Sequence, residues 1–233
     1  MALPEREETN RTRSWLLAIM PWTLIVITVG VLLSSAGQLD FDVLVDQTTF
    51  MIIYLFLLIF SLYFGVILTE GELSTTHLVG MVAFLAMPRE AFPITTWVMF
   101  IGAVIGAVTL QIRERVQPRV RRRQPVNLRS MAFVIARVTL SFWVSGQLYL
   151  ISGGTLPLGR LPDDVGQMIL SLVIYALVYV TLYFAVFLLE VYSEGHSVAQ
   201  ILRSNLLRVA AIMILPIPFA FLGAEILNEL SSA

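Results

Sequence analysis

One short stretch between two apolar runs carries seven arginines in the seventeen residues from Arg113 to Arg129. Pro118 and Pro125 prevent a long helix through it. In a membrane protein, a short arginine-rich loop stays on the cytoplasmic side, because moving it across the bilayer is costly. The stretch therefore fixes the orientation of all other segments. The predicted topology determinants are Arg113, Arg115, Arg119, Arg121, Arg122, Arg123 and Arg129.

The composition of the chain is that of a membrane protein. Of its 233 residues, 58% are hydrophobic and 13% are charged, and the mean hydropathy is +0.84. A soluble globular domain carries more charge. The chain has no cysteine, which excludes disulfides and thiolate chemistry, and its basic residues are all arginine, which excludes lysine-based covalent catalysis. The clustering of charge reflects topology and gives no indication of nucleic-acid binding.

Seven apolar segments succeed one another, and acidic loops alternate with basic ones. We expect spans at 15–33, 50–68, 77–87, 94–112, 131–151, 165–189 and 206–227. A helix needs about 20 residues to cross the hydrocarbon core, so the third segment is short: it is either a thin or tilted crossing or a re-entrant half-span from the cytoplasmic face. The predicted fold is an all-α polytopic integral membrane helix bundle with 6–7 transmembrane segments.

The predicted organisation is a single membrane domain. Residues 15–228 form the helical bundle, which includes the arginine-rich cytoplasmic loop 113–130. Residues 1–14 form a cytoplasmic N-terminal tail, and residues 229–233 form a short C-terminal tail on the outer side.

One charge, Arg137, lies within an apolar run. A guanidinium at the bilayer centre costs at least about 2.5–3.5 kcal/mol, so an intramembrane arginine is a candidate functional residue. Two alternatives remain. Arg137 can snorkel to the cytoplasmic headgroups, about two turns away. It can also face inward and pair with an anionic ligand or with a carboxylate, for which Glu70, Glu190 and Glu225 are the candidates.

Two patterns on other spans are candidates for ligand binding or for packing. Gly102 and Gly106 place small residues four apart on one helix face, which favours close approach of a second helix over a ligand cleft. Tyr175, Tyr179 and Tyr183 lie one turn apart on the sixth span. Such a stripe is more typical of interhelical packing, with hydroxyls bonded to neighbouring carbonyls, than of a ligand site.

The sequence has no recognisable catalytic or metal-binding pattern. His77 and His196 are the only histidines, and neither has a companion at i+3 or i+4, so we expect interfacial side chains and no metal site. HExxH, GxSxG and paired catalytic carboxylates are also absent from the sequence. We predict a non-enzymatic protein without a cofactor.

Three stretches carry a family resemblance. They are LSTTHLVGMVAFLAMPREAFPITTWVMFIGAVIGAV, NLRSMAFVIARVTLSFWVSGQLYLISGG and VIYALVYVTLYFAVFLLEVYSEGHSVAQILRSNLLRVAAIMILPIPFAFLGA. In hydropathy and glycine placement, about two thirds of the chain resembles the multi-pass N-terminal membrane input regions of bacterial signalling proteins. In that family a further helix and a PAS, GAF, diguanylate cyclase or HD-type output usually follow. Because this chain ends at Ala233, the resemblance implies either a missing final crossing or a stand-alone member.

The resemblance implies a sensory or ligand-binding input module in the bacterial inner membrane. The alternatives are the substrate-binding membrane subunit of a vitamin-type uptake transporter and an accessory subunit of a membrane complex. The implied partners are the lipid bilayer, a membrane protein or a second copy of the chain, and a small hydrophobic or anionic ligand.

Overall fold

The fold is a bundle of helices, described here from a computed structural model. The structure describes residues 4–64, 66–68, 71–116, 127–158, 165–194, 197–199, 202–203, 211, 214–215 and 217–231. The helices are α1 (Pro4–Ala36), α2 (Phe41–Asp46), α3 (Thr48–Tyr63), α4 (Thr76–Ala86), α5 (Phe92–Val116), α6 (Leu128–Ile151), α7 (Val165–Ser193) and α8 (Ile217–Ser231). A 3-10 turn, Arg89–Ala91, joins α4 to α5. Strands β1 (Val66–Leu68) and β2 (Gly71–Leu73) pair antiparallel between α3 and α4.

Within the residues that the structure describes, four helical segments are long and apolar enough to cross a membrane. They are Ala18–Ala36, Arg89–Arg113, Leu128–Ile151 and Gly166–Ser193. Three apolar helices are shorter: Thr48–Tyr63, Thr76–Ala86 and Ile217–Leu227. The outward faces of the bundle are apolar, as lipid contact requires; Val26, Ile52 and Leu177, for example, are 61–70% exposed. The helical membrane bundle is thus confirmed in outline, and the total of 6–7 spans stays a prediction.

Helix α4 lies at the centre of the bundle although it has only 11 residues, a length of about 16 Å. Its side chains Met81, Phe84 and Leu85 are fully buried. Helices α3, α6 and α8 pack around it. The backbone N–H of Leu158, in the loop after α6, donates to the Leu85 carbonyl at 2.8 Å. Helix α4 therefore ends at the same end of the bundle as α6.

The predicted second span, 50–68, is wrong at its C-terminal end. Helix α3 ends at Tyr63, and Val66–Leu68 is a strand. The β-branched Val66 and Ile67 favour extended backbone, and pairing with Gly71–Leu73 satisfies backbone groups that a helix would otherwise satisfy. The β-hairpin thus lies in the chain between the end of α3 and the start of α4.

Helices extend into both predicted tails and into the predicted loop. Helix α1 begins at Pro4, a residue type that suits the first turn of a helix. Helix α8 extends to Ser231. Arg113 and Arg115 belong to α5 and Arg129 belongs to α6, so the loop between these helices is shorter than 113–130. Part of the predicted span 206–227 lies outside the described residues.

Among the described helices, α6 and α7 form the most extensive pair. Aromatic side chains fill the space between this pair and α4. The Phe84 ring stacks on Tyr175 with 4.7 Å between ring centres, and it meets Phe142 and Tyr149 edge-on. This aromatic core fixes the rotation of α6 and α7 about their own axes. The rotation in turn determines which polar side chains of the two helices face each other further along.

Candidate functional site

An ion pair joins α6 to α7 in the interior of the bundle. Arg137 Nη1 lies 3.2 Å from Glu190 Oε2, and the two side chains are 3% and 11% exposed. The other carboxylate oxygen of Glu190 accepts a hydrogen bond from Ser130 Oγ at 2.5 Å. Of the two alternatives for Arg137, the structure therefore shows the inward-facing one, paired with a carboxylate, and the snorkelling alternative is wrong.

Two aromatic rings lie against the Arg137 guanidinium. Its Cζ atom lies 4.9 Å from the ring centre of Tyr183 and 5.6 Å from that of Phe187. Such contacts contribute about 0.5–2 kcal/mol each, and more where water is excluded. The guanidinium is thus held between one carboxylate and two rings of α7. Its Nε–H has no hydrogen-bond partner among the residues described.

The hydroxyl of Tyr183 connects this ion pair to the start of α4. It lies 2.8 Å from Ser74 Oγ and 2.7 Å from Thr76 Oγ1, and these two atoms are 2.9 Å apart. Each of the three hydroxyls can donate or accept, so the direction of donation around the trio can reverse. The polar network defined by these contacts consists of Ser74, Thr76, Ser130, Arg137, Tyr183 and Glu190.

The tyrosine stripe of α7 packs inward, as the helical spacing predicts. Tyr175, Tyr179 and Tyr183 are fully buried, with 6.0 and 6.4 Å between successive ring centres. The tyrosine hydroxyls were expected to bond to backbone carbonyls, and this holds only in part. Tyr183 donates to the Ser74 carbonyl at 3.4 Å, but its shorter contacts are to side chains. The Tyr179 hydroxyl lies against Gly80 and has no hydrogen-bond partner in the part of the chain that the structure describes.

Gly102 and Gly106 lie where α5 packs on α3. A Cβ atom on Gly102 would come within 2.5 Å of Leu58 Cδ2, and one on Gly106 would overlap Leu62 Cδ1. The neighbouring Ala103 and Ala107 are also buried. The face is occupied by a helix in the way that small residues at this spacing permit, and a leucine of α3 fills the place of each missing side chain.

Three of the seven topology arginines lie within described residues. Arg113 is buried, donates from Nη1 to the Tyr63 carbonyl, and stacks over the Tyr63 ring at 5.1 Å. It therefore satisfies a carbonyl at the C-terminal end of α3. Arg115 is exposed and Arg129 is half-buried. Arg119, Arg121, Arg122 and Arg123 lie outside the described residues.

The expectation of an interfacial His77 is wrong. His77 is fully buried at the start of α4, with its ring 5.8 Å from that of Tyr183, because the short helix α4 begins inside the bundle. His196 and Glu70 lie outside the described residues, and Glu225 is exposed. Within the residues described, no cluster of three or more metal-ligating side chains forms.

Residues of the polar network that sequence analysis missed are Ser74, Thr76 and Ser130. A usable signal exists for Ser130, which precedes Arg137 by seven residues, as Tyr183 precedes Glu190 by seven. Seven residues are about two helical turns, so each pair lies on one face of its helix. Comparisons of the chain with protein-family models, with curated proteins and with solved structures each found no match.

Proposed function

We propose that this chain is a non-enzymatic, multi-pass sensory module of the bacterial inner membrane, in which the polar network couples α4 to α6 and α7. The observation that carries the proposal is the buried Arg137–Glu190 pair and its link through Tyr183 to the start of α4. Besides the lipid bilayer, the partners that we propose are a membrane protein or a second copy of the chain.

The energetics of the network favour a functional role over a purely structural one. Desolvation of a buried ion pair offsets much of its attraction, and apolar residues of similar volume often stabilise a fold at least as well. Ionisable groups inside membrane helices are therefore functional candidates by default. A network of this kind also holds one arrangement of helices through a few directional contacts, which a small displacement would break together.

The position of the network suits signalling through helix packing. Three helices meet there, and the hydroxyl trio can reverse its hydrogen bonds without loss of contact. A sensor requires two packings that differ by a few kcal/mol and a ligand that prefers one of them. Loss of the ion pair should change the balance between two such packings.

Spin labels can test this directly because the chain has no native cysteine. We would place labels at Phe64→Cys, which follows α3, and Leu189→Cys, on the outer face of α7; these side chains are 62% and 37% exposed. Distances would be measured by pulsed electron spin resonance on the full chain in lipid nanodiscs, in this background and with Glu190→Gln added. The matched control is Glu225→Gln, which changes an exposed carboxylate in the same way.

A sensor predicts that Glu190→Gln redistributes the measured distances between two populations and that Glu225→Gln leaves them unchanged. The same distribution in all three proteins would contradict the proposal. So would a change of equal size in the control, because that change would not come from the network.

A second candidate function is supported by helix α4 itself. Secondary transporters bind substrate at discontinuous helices that end inside the membrane, and α4 is an interior half-length helix followed by Met87–Pro88 and a 3-10 turn. The substrate-binding subunit of an uptake transporter would retain a small molecule through purification. Native mass spectrometry that shows a bound, stoichiometric small molecule would favour this candidate, and a ligand-free spectrum would count against it.

A further inference from the structure

A cavity of about 230 Å³ lies at the opposite end of α4 from the polar network. Its wall is mainly apolar and includes Phe50 and Tyr54 of α3, Ala86 at the end of α4 and Leu227 of α8, with Gln47 beside them. With Pro157, in the loop after α6, four separate parts of the chain converge on one concave site, which is the usual construction of a small-molecule site.

We propose that this cavity binds a small apolar molecule that carries one hydrogen-bond acceptor, of the class of a substituted aromatic ketone. Its volume sets the size of the ligand. An apolar cavity of about 150 Å³ holds benzene, so the present cavity has room for a single ring with a short substituent.

Tyr54 supplies the requirement for an acceptor. Tyr54 is one of the residues that line the cavity, it is only 2% exposed, and its hydroxyl has no hydrogen-bond partner among the described residues. A buried donor without a partner is rare in proteins and disfavours a purely hydrocarbon occupant. An acyl chain of a lipid would fill the volume but would leave this donor unsatisfied.

Ligand binding here would act on α4. Ala86, Met87 and Pro88 line the cavity, whereas Thr76 at the other end of the helix, about 16 Å away, belongs to the polar network. A ligand that shifts the end of a short rigid helix shifts its start as well. This link between the cavity and the network rests on the proposed sensory function, whereas binding to the cavity does not.

The test uses two probes of similar size, 4-fluoroacetophenone, which has an acceptor, and 4-fluorotoluene, which has none. Fluorine NMR would measure the binding of each to the full chain in nanodiscs, with empty nanodiscs to subtract partition into lipid. We expect saturable binding of both probes and an affinity for the ketone that is about three- to tenfold higher, the contribution of one hydrogen bond.

Three variants make the expectation specific. Tyr54→Phe keeps the ring and should bind both probes with equal affinity, whereas Ala86→Leu fills part of the cavity and should weaken both. Tyr63→Phe removes a hydroxyl outside the cavity and should behave like the native chain. Equal affinities in the native chain, a preference that survives Tyr54→Phe, or binding no greater than to empty nanodiscs would overturn the proposal.

The same samples separate this inference from the sensory function. Ketone binding that does not alter the Phe64–Leu189 label distances would support the cavity as a binding site, and it would count against signalling through α4. A change in label distances with Glu190→Gln, but no probe binding, would overturn the cavity site alone.

Discussion

Arg137 and Glu190 form an ion pair across the α6–α7 interface, with 3.2 Å between Nη1 and Oε2. Each residue has a second contact that extends the pair in a different direction. Glu190 accepts from Ser130 at the start of α6, and Arg137 lies over the ring of Tyr183, whose hydroxyl bonds to Thr76. Through these contacts, one carboxylate and one guanidinium hold three helices together.

Substitution of Glu190 by glutamine should destabilise the protein. The change leaves the buried Arg137 charge without a counterion, and removal of one partner of a buried pair costs about 3–5 kcal/mol. Because the glutamine amide still accepts a hydrogen bond, we expect the lower end, about 3 kcal/mol, in the free energy of unfolding measured by SDS titration in mixed micelles. Glu225→Gln, at an exposed site, should change it by less than about 0.5 kcal/mol.

The double variant Arg137→Met, Glu190→Leu separates the pair from the lone charge. It removes both charges and restores apolar volume, so it should recover most of the stability lost in Glu190→Gln. A double variant that is less stable than Glu190→Gln would mean that the pair stabilises the bundle beyond the cost of its desolvation.

Two tyrosines of the same stripe should respond differently to removal of the hydroxyl. Tyr183→Phe loses the contacts to Ser74 and Thr76 and should lower the free energy of unfolding by about 1 kcal/mol. Tyr179→Phe removes a hydroxyl without a partner among the described residues and should be neutral or stabilising. Both keep the aromatic ring, so each serves as the control for the other, and equal losses would contradict the assignment of hydrogen bonds.

The sequence supports the helical membrane class because apolar length and charge placement are local properties. Arg137 stands out for the same reason, as a charge in an apolar run. The choice between snorkelling and pairing could not be made, because it depends on how far α7 is rotated, and that rotation is fixed by aromatic contacts such as the stacking of Phe84 on Tyr175. The sequence identified Glu190 as one of three candidate carboxylates for Arg137, but it could not distinguish Glu190 from the other two.

Other parts of the site depend on contacts between distant parts of the chain. Ser74 and Thr76 reach Tyr183 across 109 and 107 positions, a relation that hydropathy and spacing do not encode. His77 is buried because α4 begins inside the bundle, and the sequence gives no sign that α3 ends as early as Tyr63. A continuous apolar run such as 50–68 does not reveal such an end, because buried strands and helices share that pattern.

Gly80 and Tyr179 should show a strong coupling. A Cβ atom on Gly80 would overlap the Tyr179 hydroxyl oxygen, which sits at the end of a rigid ring, so Gly80→Ala should cost about 1–3 kcal/mol. In the Tyr179→Phe background the nearest atoms are Met99 Cε at 3.0 Å and Tyr179 Cζ at 3.2 Å, and the methionine can move. A double-mutant cycle on unfolding free energies should therefore show that Tyr179→Phe rescues most of the loss. Additive effects would contradict the contact.

Gly106 should tolerate a large side chain far less than Gly30 does. Gly106→Ile would drive α5 away from Leu62 of α3 and should cost about 2–3 kcal/mol in the free energy of unfolding. Gly30→Ile is the matched control, since nothing lies within 4 Å of a Cβ atom there and the change should be within about 0.5 kcal/mol. Equal costs at the two positions would place the close helix contact elsewhere than between α3 and α5.

The orientation of the bundle can be checked at two exposed positions, since the native chain has no cysteine. Phe41→Cys lies in α2, beside the acidic residues Asp40 and Asp42, and Leu128→Cys lies at the start of α6, directly after the arginine-rich stretch; the native side chains are 72% and 68% exposed. Because an arginine-rich stretch is predicted to stay in the cytoplasm, a membrane-impermeant maleimide should label Phe41→Cys in intact spheroplasts and Leu128→Cys only after permeabilisation. The unsubstituted chain should not be labelled in either state. Labelling of Leu128→Cys without permeabilisation would place the arginine-rich stretch outside the cell and reverse every span.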